Sequence, residues 1–272
     1  MIKALINKRW ELVPNKNLEI GGDSFAYKSG LYETFRTLSF KPVFFNLHMD
    51  RLYNTALQTS LKIHYSREEL HGMVHSVVSD FSEPNQRVRV IAAPDDLIIY
   101  TSPLNLDQEI YDGVKVLALN ASRKIPAIKT TNYRTCLSAW EKAHEAGCFE
   151  AILTDNNGDI FEGSRSNVFW VKKGKLFTRQ FDILPGVTRE IIILKFSFPV
   201  VFSNLNRIDF KQIDELFITN SGPGIVPVTQ VNDTIIRNGT VGKITRKLLN
   251  DYTTWIKNDV ENYKLPLFNF RL

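Results

Sequence analysis

The chain has 272 residues, 34 of them Lys or Arg and 29 Asp or Glu, which leaves a net charge of +5 and a pI near 9.1. Hydrophobic residues make up 43% and charged residues 23%, enough apolar material to bury a sizeable core. Basic and acidic residues are interspersed, so there is no basic tract for nucleic acid, and the most apolar stretch, Ile191 to Phe202, is too interrupted by Lys195 and Pro199 to span a bilayer.

Met1 to Val13 reads as a first strand, with a turn at Pro14-Asn15. Gly21-Gly22 and Ser29-Gly30 bracket a loop. Leu31 to Leu38 reads as a strand and Val43 to Phe45 as its hairpin partner. Leu47 to Leu61 has helical spacing. Ser66-Arg67-Glu68-Glu69 is a capping box that opens a second helix to about Phe81. Arg87 to Ala92 and Leu97 to Thr101 follow as two strands joined at Pro94-Asp95-Asp96.

Gly113 to Asn120 is a further strand, and Ser122 to Ile128 a polar crossing that contains a proline. Asn132 to Ala146 reads as a helix ended by Gly147. Ala151 to Thr154 and Ile160 to Phe161 flank Asp155-Asn156-Asn157-Gly158, and Asn-Gly between apolar runs signals a hairpin. Val168 to Val171 and Lys175 to Thr178 flank Lys172-Lys173-Gly174, a second hairpin. The expected fold class is α+β in two domains: residues 1–120 as a smaller α+β domain, and residues 121–272 as a larger domain with a mixed sheet or open barrel.

The two cysteines, Cys136 and Cys148, form neither a CxxC pair nor a metal cluster and read as reduced, packed thiols. Met1 to Asn7 lacks the apolar core of a signal peptide. A soluble cytoplasmic protein is expected, with no nucleic-acid or membrane partner. His71 and His75 stand one helical turn apart, but the order His-Glu-x-x-His is absent, so no metal is expected there.

Five segments have residues that can carry chemistry. Ile128-Lys129-Thr130-Thr131-Asn132-Tyr133 puts a lysine beside an apolar residue at a loop-to-helix junction; burial would lower its proton affinity and free the amine that Schiff-base chemistry needs. On local sequence alone, a surface lysine is the commoner reading. Phe161-Glu162-Gly163-Ser164-Arg165-Ser166-Asn167-Val168-Phe169 ends a strand with a carboxylate and continues with small residues; it is equally a polar hairpin edge. Ile183-Leu184-Pro185-Gly186-Val187-Thr188-Arg189-Glu190 opens a helix whose free N–H groups suit a phosphate, or simply one with a threonine cap. Thr219-Asn220-Ser221-Gly222-Pro223-Gly224 is a small-residue loop after a strand. His48-Met49-Asp50-Arg51-Leu52 puts an arginine on a helix, facing an anion or solvent.

Taken in chain order, with Tyr32-Glu33-Thr34-Phe35-Arg36 before them and Gly224-Ile225-Val226-Pro227-Val228 closing the last loop, these segments resemble the class IV aminotransferases, the fold-type IV pyridoxal 5′-phosphate (PLP) family. That family includes branched-chain and D-amino acid aminotransferases and aminodeoxychorismate lyases. The resemblance runs from about Gly30 to Tyr252. It implies that Lys129 holds PLP as a Schiff base and moves the substrate proton, and that Glu162 pairs with the pyridine nitrogen. It also implies that Arg51, Val187, Thr188 and Ser221 bind the phosphate, that Leu184 packs on the ring, and that Tyr133 lies near the phenolic oxygen. Tyr32, Arg36, Arg89 and Gly222 are the expected substrate residues, and a homodimer is implied.

The resemblance leaves the reaction open between transamination, moving an amino group between a branched-chain-like amino acid and a 2-oxo acid, and elimination from aminodeoxychorismate. Tyr133 directly after Asn132 resembles the aminotransferase form of the lysine motif, and transamination ranks first. Ala92-Ala93-Pro94 departs from the Thr-Arg-Gly-like run of the D-amino acid enzymes. Pro223 has no N–H to offer a carboxylate. A third reading, a non-catalytic module on the same fold, leaves the lysine, carboxylate and arginine together without a purpose.

Overall fold

A computed structural model describes residues 1–265 and divides them into two compact units. The first contains residues 1–105 and 128–134, and the described residues from Trp255 on; the second contains residues 106–127 and 135–254.

The first unit opens with β1 (Ile2–Ile6) and β2 (Arg9–Val13), two strands where the apolar pattern suggests one. Asn7 (φ 48°) and Lys8 (φ 68°) form a two-residue left-handed turn, the hairpin geometry that Asn-Gly more often announces. Asn7 is held in it from elsewhere: its Oδ1 accepts Leu97 N–H at 3.0 Å, and its amide donates to Asp96 at 2.8 Å. After α1 (Asn15–Leu18), β3 (Leu31–Leu38) lies where expected. Its hairpin partner does not. The short β4 is Lys41–Pro42, and Val43–Phe45 is not a strand, because Phe44 turns left-handed (φ 51°) and gives its N–H to Asp259 Oδ2 at 2.6 Å. Phe45 then starts α2 (Phe45–Gln58).

The capping box opens α3 (Arg67–Asp80) as expected: Ser66 Oγ accepts Glu69 N–H, and Glu69 Oε2 accepts Ser66 N–H. β5 (Gln86–Ala92) and β6 (Leu97–Pro103) complete an antiparallel sheet in the order β2-β1-β6-β5-β3-β4. One face, with Phe35, Val88, Val90 and Ile99, packs on Met49 and Leu52 of α2 and on Leu70, Met73 and Val77 of α3. Each such burial contributes roughly 1.5–3 kcal/mol. On the other face, Tyr32, Ile91, Ile98 and Tyr100 pack under Leu18, Ile20 and Phe25.

The second unit contains β7 (Val114–Asn120), nearly all of α4 (Arg134–Glu145), β8 (Glu150–Thr154), β9 (Asp159–Gly163), β10 (Asn167–Lys172) and β11 (Lys175–Thr178). They are followed by α5 (Val187–Lys195), β12 (Val200–Phe202), β13 (Leu205–Asn206), β14 (Glu215–Asn220), β15 (Gly224–Val231), β16 (Thr234–Ile235) and the start of α6 (Lys243–Glu261). The strands form one mixed sheet, β12-β11-β10-β14-β15-β7-β8-β9-β13, with β16 paired to β15. Both expected hairpins are present, and Gly158 (φ 85°) and Gly174 (φ 71°) take the left-handed positions. Trp170, Leu216, Ile218, Val226 and Val228 lie in its core. Among the described residues no helix is long and apolar enough to cross a membrane.

Ser66→Ala removes one half of the capping box. It is expected to destabilise the first unit by about 1 kcal/mol, read as a lower urea midpoint with an unchanged slope.

Candidate functional site

In the first unit, residues 128–131 lie along the start of β3. Tyr32 N–H donates to Lys129 O at 3.0 Å, Thr131 N–H to Gly30 O at 2.8 Å, and Gly30 N–H to Thr131 Oγ1 at 3.0 Å. A side chain at residue 30 would meet Ala92 O at 2.5 Å, so glycine lets the strands close there. These bonds hold the Lys129 backbone. Its half-buried side chain places Nζ 4.5 Å from the centre of the Tyr32 ring. Tyr133 meets the same ring edge-on at 6.0 Å. The extended segment also explains why α4 starts at Arg134, two residues later than its periodicity suggests.

Arg51 stands on α2 opposite Glu33 of β3. Its Nε and Nη2 each donate to a different oxygen of the Glu33 carboxylate, both at 2.7 Å, and His48 Nδ1 reaches Glu33 Oε2 at 2.8 Å. Burial alone would raise the Glu33 pKa, but the charge and hydrogen bonds of Arg51, and then His48, outweigh it and bring the carboxyl down to about 2. Burial pushes His48 below the usual imidazole range despite Glu33, so at neutral pH the ring is uncharged. A carboxylate only accepts, so the His48 proton sits on Nδ1. The arginine assigned to the phosphate is therefore braced by two residues that the sequence offered only as parts of motifs.

Strand register puts Thr34 beside Arg89 and Arg89 beside Tyr100, all on the sheet face that also carries Tyr32 and Arg36. Arg89 Nη1 donates to Tyr100 Oη at 3.5 Å, and its guanidinium lies 5.8 Å from the Tyr32 ring. Among the described residues, Arg89 Nε and Thr34 Oγ1 are buried without a hydrogen-bond partner. Cationic and hydroxyl groups left unsatisfied on one face are what a carboxylate completes.

In the second unit, Glu162 near the end of β9 is buried, and both of its oxygens are held. Oε1 accepts from Arg123 Nη1 at 3.0 Å and Oε2 from Leu184 N–H at 2.9 Å. Arg123 also donates to Pro126 O, which braces the polar crossing. The small residues after Glu162 wrap a second buried carboxylate, Glu150 of β8. Its Oε1 accepts from Arg165 N–H at 2.6 Å, Ser166 Oγ at 2.9 Å and Ser164 Oγ at 3.4 Å, and a side chain on Gly163 would overlap this cluster. Burial pushes the Glu150 carboxyl up, against these donors.

Gly186 is the N-cap of α5 and has no side chain to cap its first N–H groups; Val187 and Thr188 form its first turn. Asn167 Nδ2 donates to Leu184 O at 2.8 Å, and a Cβ on Gly186 would overlap Asn167 Oδ1. Ser221 and Gly222 form the β14–β15 turn, where Gly222 N–H donates to Asn220 Oδ1 at 3.0 Å. Lys129, Arg51, Tyr133, Tyr32, Arg36 and Arg89 thus belong to the first unit. Glu162, Leu184, Val187, Thr188, Ser221 and Gly222 belong to the second. Glu33, His48, Arg123 and Glu150 were not legible as functional residues, because each acts on a partner 14 to 39 positions away. His71 donates or accepts at Tyr263 Oη, 2.6 Å away.

Residues 30–231 match the family model described as amino-transferase class IV. A probable branched-chain-amino-acid aminotransferase of Thermotoga maritima is 31% identical over 250 residues, covering 88% of this chain and 90% of the relative. A D-alanine aminotransferase of Listeria monocytogenes is 29% identical over 272 residues, covering 91% and 93%. A solved branched-chain amino acid aminotransferase with pyridoxamine 5′-phosphate, from T.th., shares the fold, with a TM-score of 0.80 over 95% of each chain at 21% identity. The chain belongs to the class IV aminotransferase family.

The Glu33 pKa falls on folding, so this carboxylate stabilises the protein fully above pH 4.5, and that contribution is lost as the pH falls toward 2. Glu33→Gln is expected to remove this part of the acid-unfolding profile and to destabilise the protein at pH 7. Circular dichroism against pH reads both; an unchanged acid limb would contradict the pairing.

Proposed function

We propose that this chain is a PLP-dependent aminotransferase that moves an amino group between a branched-chain-like amino acid and a 2-oxo acid. The observation that carries the reading is Glu162: a buried carboxylate with an arginine on one oxygen and a backbone N–H on the other, held at the end of a strand. Such a group suits a cationic ring nitrogen. The residues fit the rest of the cofactor as well. Arg51 is a guanidinium already oriented by a carboxylate, and the uncapped first turn of α5 offers N–H donors to a dianion.

When bound, PLP supplies the electron sink that allows a bond to the substrate's α-carbon to break. Lys129 would hold it covalently through Nζ and, once the substrate amine had displaced Nζ and freed the lysine amine, would take the substrate proton and return it. Arg51, Val187, Thr188 and Ser221 would hold the phosphate, Leu184 would pack on the ring, and Tyr133 would lie near its phenolic oxygen. Tyr32, Arg36, Arg89 and Gly222 bind the substrate, and the unsatisfied Arg89 Nε and Thr34 Oγ1 are the donors for its carboxylate. The resemblance extends the proposal to a homodimer, and the two cysteines, read as reduced thiols, extend it to the cytoplasm.

Borohydride reduction in the presence of PLP, followed by peptide mapping, is expected to label Lys129, and Lys129→Ala to keep the fold and lose all activity. Retained turnover in that variant, or no label in the wild type, would sink the enzyme reading. A screen of amino acids with 2-oxo acids should reveal amino transfer. Release of 4-aminobenzoate and pyruvate from aminodeoxychorismate without it would reverse the ranking. L- and D-amino acids belong in the same screen, since relatives named for branched-chain amino acids and for D-alanine match to a similar extent.

A further inference from the structure

The two elements of the second unit assigned to the phosphate, the first turn of α5 and the β14–β15 turn, share one buried side chain that no motif announced. Thr245, Leu248 and Tyr252 form the buried stripe of α6 within the second unit. The helix is fixed on β14, because Glu215 accepts Ile244 N–H at 3.1 Å and Thr245 N–H and Oγ1 at 2.7 Å each. From that stripe Tyr252 extends inward, where a phenol hydroxyl needs a polar partner. Its Oη lies 3.3 Å from Oγ1 of the buried Thr188, in the first turn of α5.

The same ring also shapes the second element. Gly224 closes the Ser221–Gly224 turn at φ 81°, and any Cβ there would overlap the Tyr252 ring. The turn is braced on its other side by Tyr111 Oη, which donates to Pro223 O at 2.9 Å. Tyr252 therefore touches α5 through its hydroxyl and the β14–β15 turn through its ring.

We propose that Tyr252 is a positioning residue for the cofactor phosphate, setting the Thr188 hydroxyl and the Ser221 turn at a fixed separation. This rests on the assignment of Thr188 and Ser221 to the phosphate. Tyr252 does not bind the phosphate itself; it removes the freedom of two groups that do. The effect is accordingly specific to the phosphate and does not extend to the rest of the cofactor.

The test compares PLP with pyridoxal, which lacks the phosphate, in titrations of the apoprotein. Tyr252→Phe keeps the ring against Gly224 and removes only the hydroxyl. It is expected to weaken PLP roughly three- to tenfold, the range of one neutral hydrogen bond, and to leave pyridoxal unchanged. In a Thr188→Val background the same substitution should cost PLP nothing further. Equal losses for PLP and pyridoxal would indicate a structural role and overturn the proposal, as would no loss for PLP or additive losses in the double variant. A wild type that binds PLP no better than pyridoxal would instead remove the phosphate assignment on which the proposal stands.

Discussion

The pairing of Glu33 with Arg51 is the constraint on which much of the first unit depends. A carboxylate on the central part of a strand and a guanidinium on a packed helix are both costly to bury, and each is tolerable only because the other is there. The fork-to-fork geometry fixes α2 against β3 in rotation as well as distance. His48 completes the arrangement as a neutral donor one helical turn before Arg51. One pairing thus positions the helix and leaves its arginine preorganised, so a phosphate would meet a group whose ordering entropy is already spent.

The second unit solves the same problem differently. Glu162 is held by Arg123 and a backbone N–H, while Glu150 on the neighbouring strand is held by a backbone N–H and hydroxyls. Two buried carboxylates on adjacent strands are given unlike environments. One is hydrogen-bonded by a guanidinium. The other is bonded by a backbone N–H and hydroxyls, and burial pushes its pKa up against these donors and the Arg165 charge. Gly163 and the serines on either side of Arg165 are the sequence's trace of that arrangement: a carboxylate fills the space where side chains would otherwise be.

Local order explains which parts of the fold were legible. The capping box at Ser66, the Asn-Gly hairpin at Gly158 and the Lys-Gly turn at Gly174 depend on bonds within a few residues, and they occur as expected. The hairpin at Asn7-Lys8 and the helix start at Phe45 were missed because their left-handed residues are neither glycine nor in Asn-Gly pairs. They are held by Leu97, Asp96 and Asp259, which no local pattern can bring near. The candidate site divides along the same line. Residues that form runs, such as Glu162 to Asn167 and Leu184 to Thr188, stood out in the sequence, whereas Arg123 stood in a polar crossing with nothing around it to mark its role.

By itself the sequence determined the strand and helix periods, the small-residue turns after Glu162, Leu184 and Asn220, and the order of segments that marks the family. Those are properties of neighbouring residues, set by backbone sterics and by which side chains repeat at which spacing. Only the tertiary structure decided what each charge is paired with. It gave Arg51 to Glu33 and Arg123 to Glu162, left Arg89 and Thr34 with buried atoms unsatisfied among the described residues, and brought Tyr252 to Thr188. The reason is physical: the cost of burying a charge or a hydroxyl depends on partners that arrive from distant parts of the chain, and it is incurred only once the chain has folded.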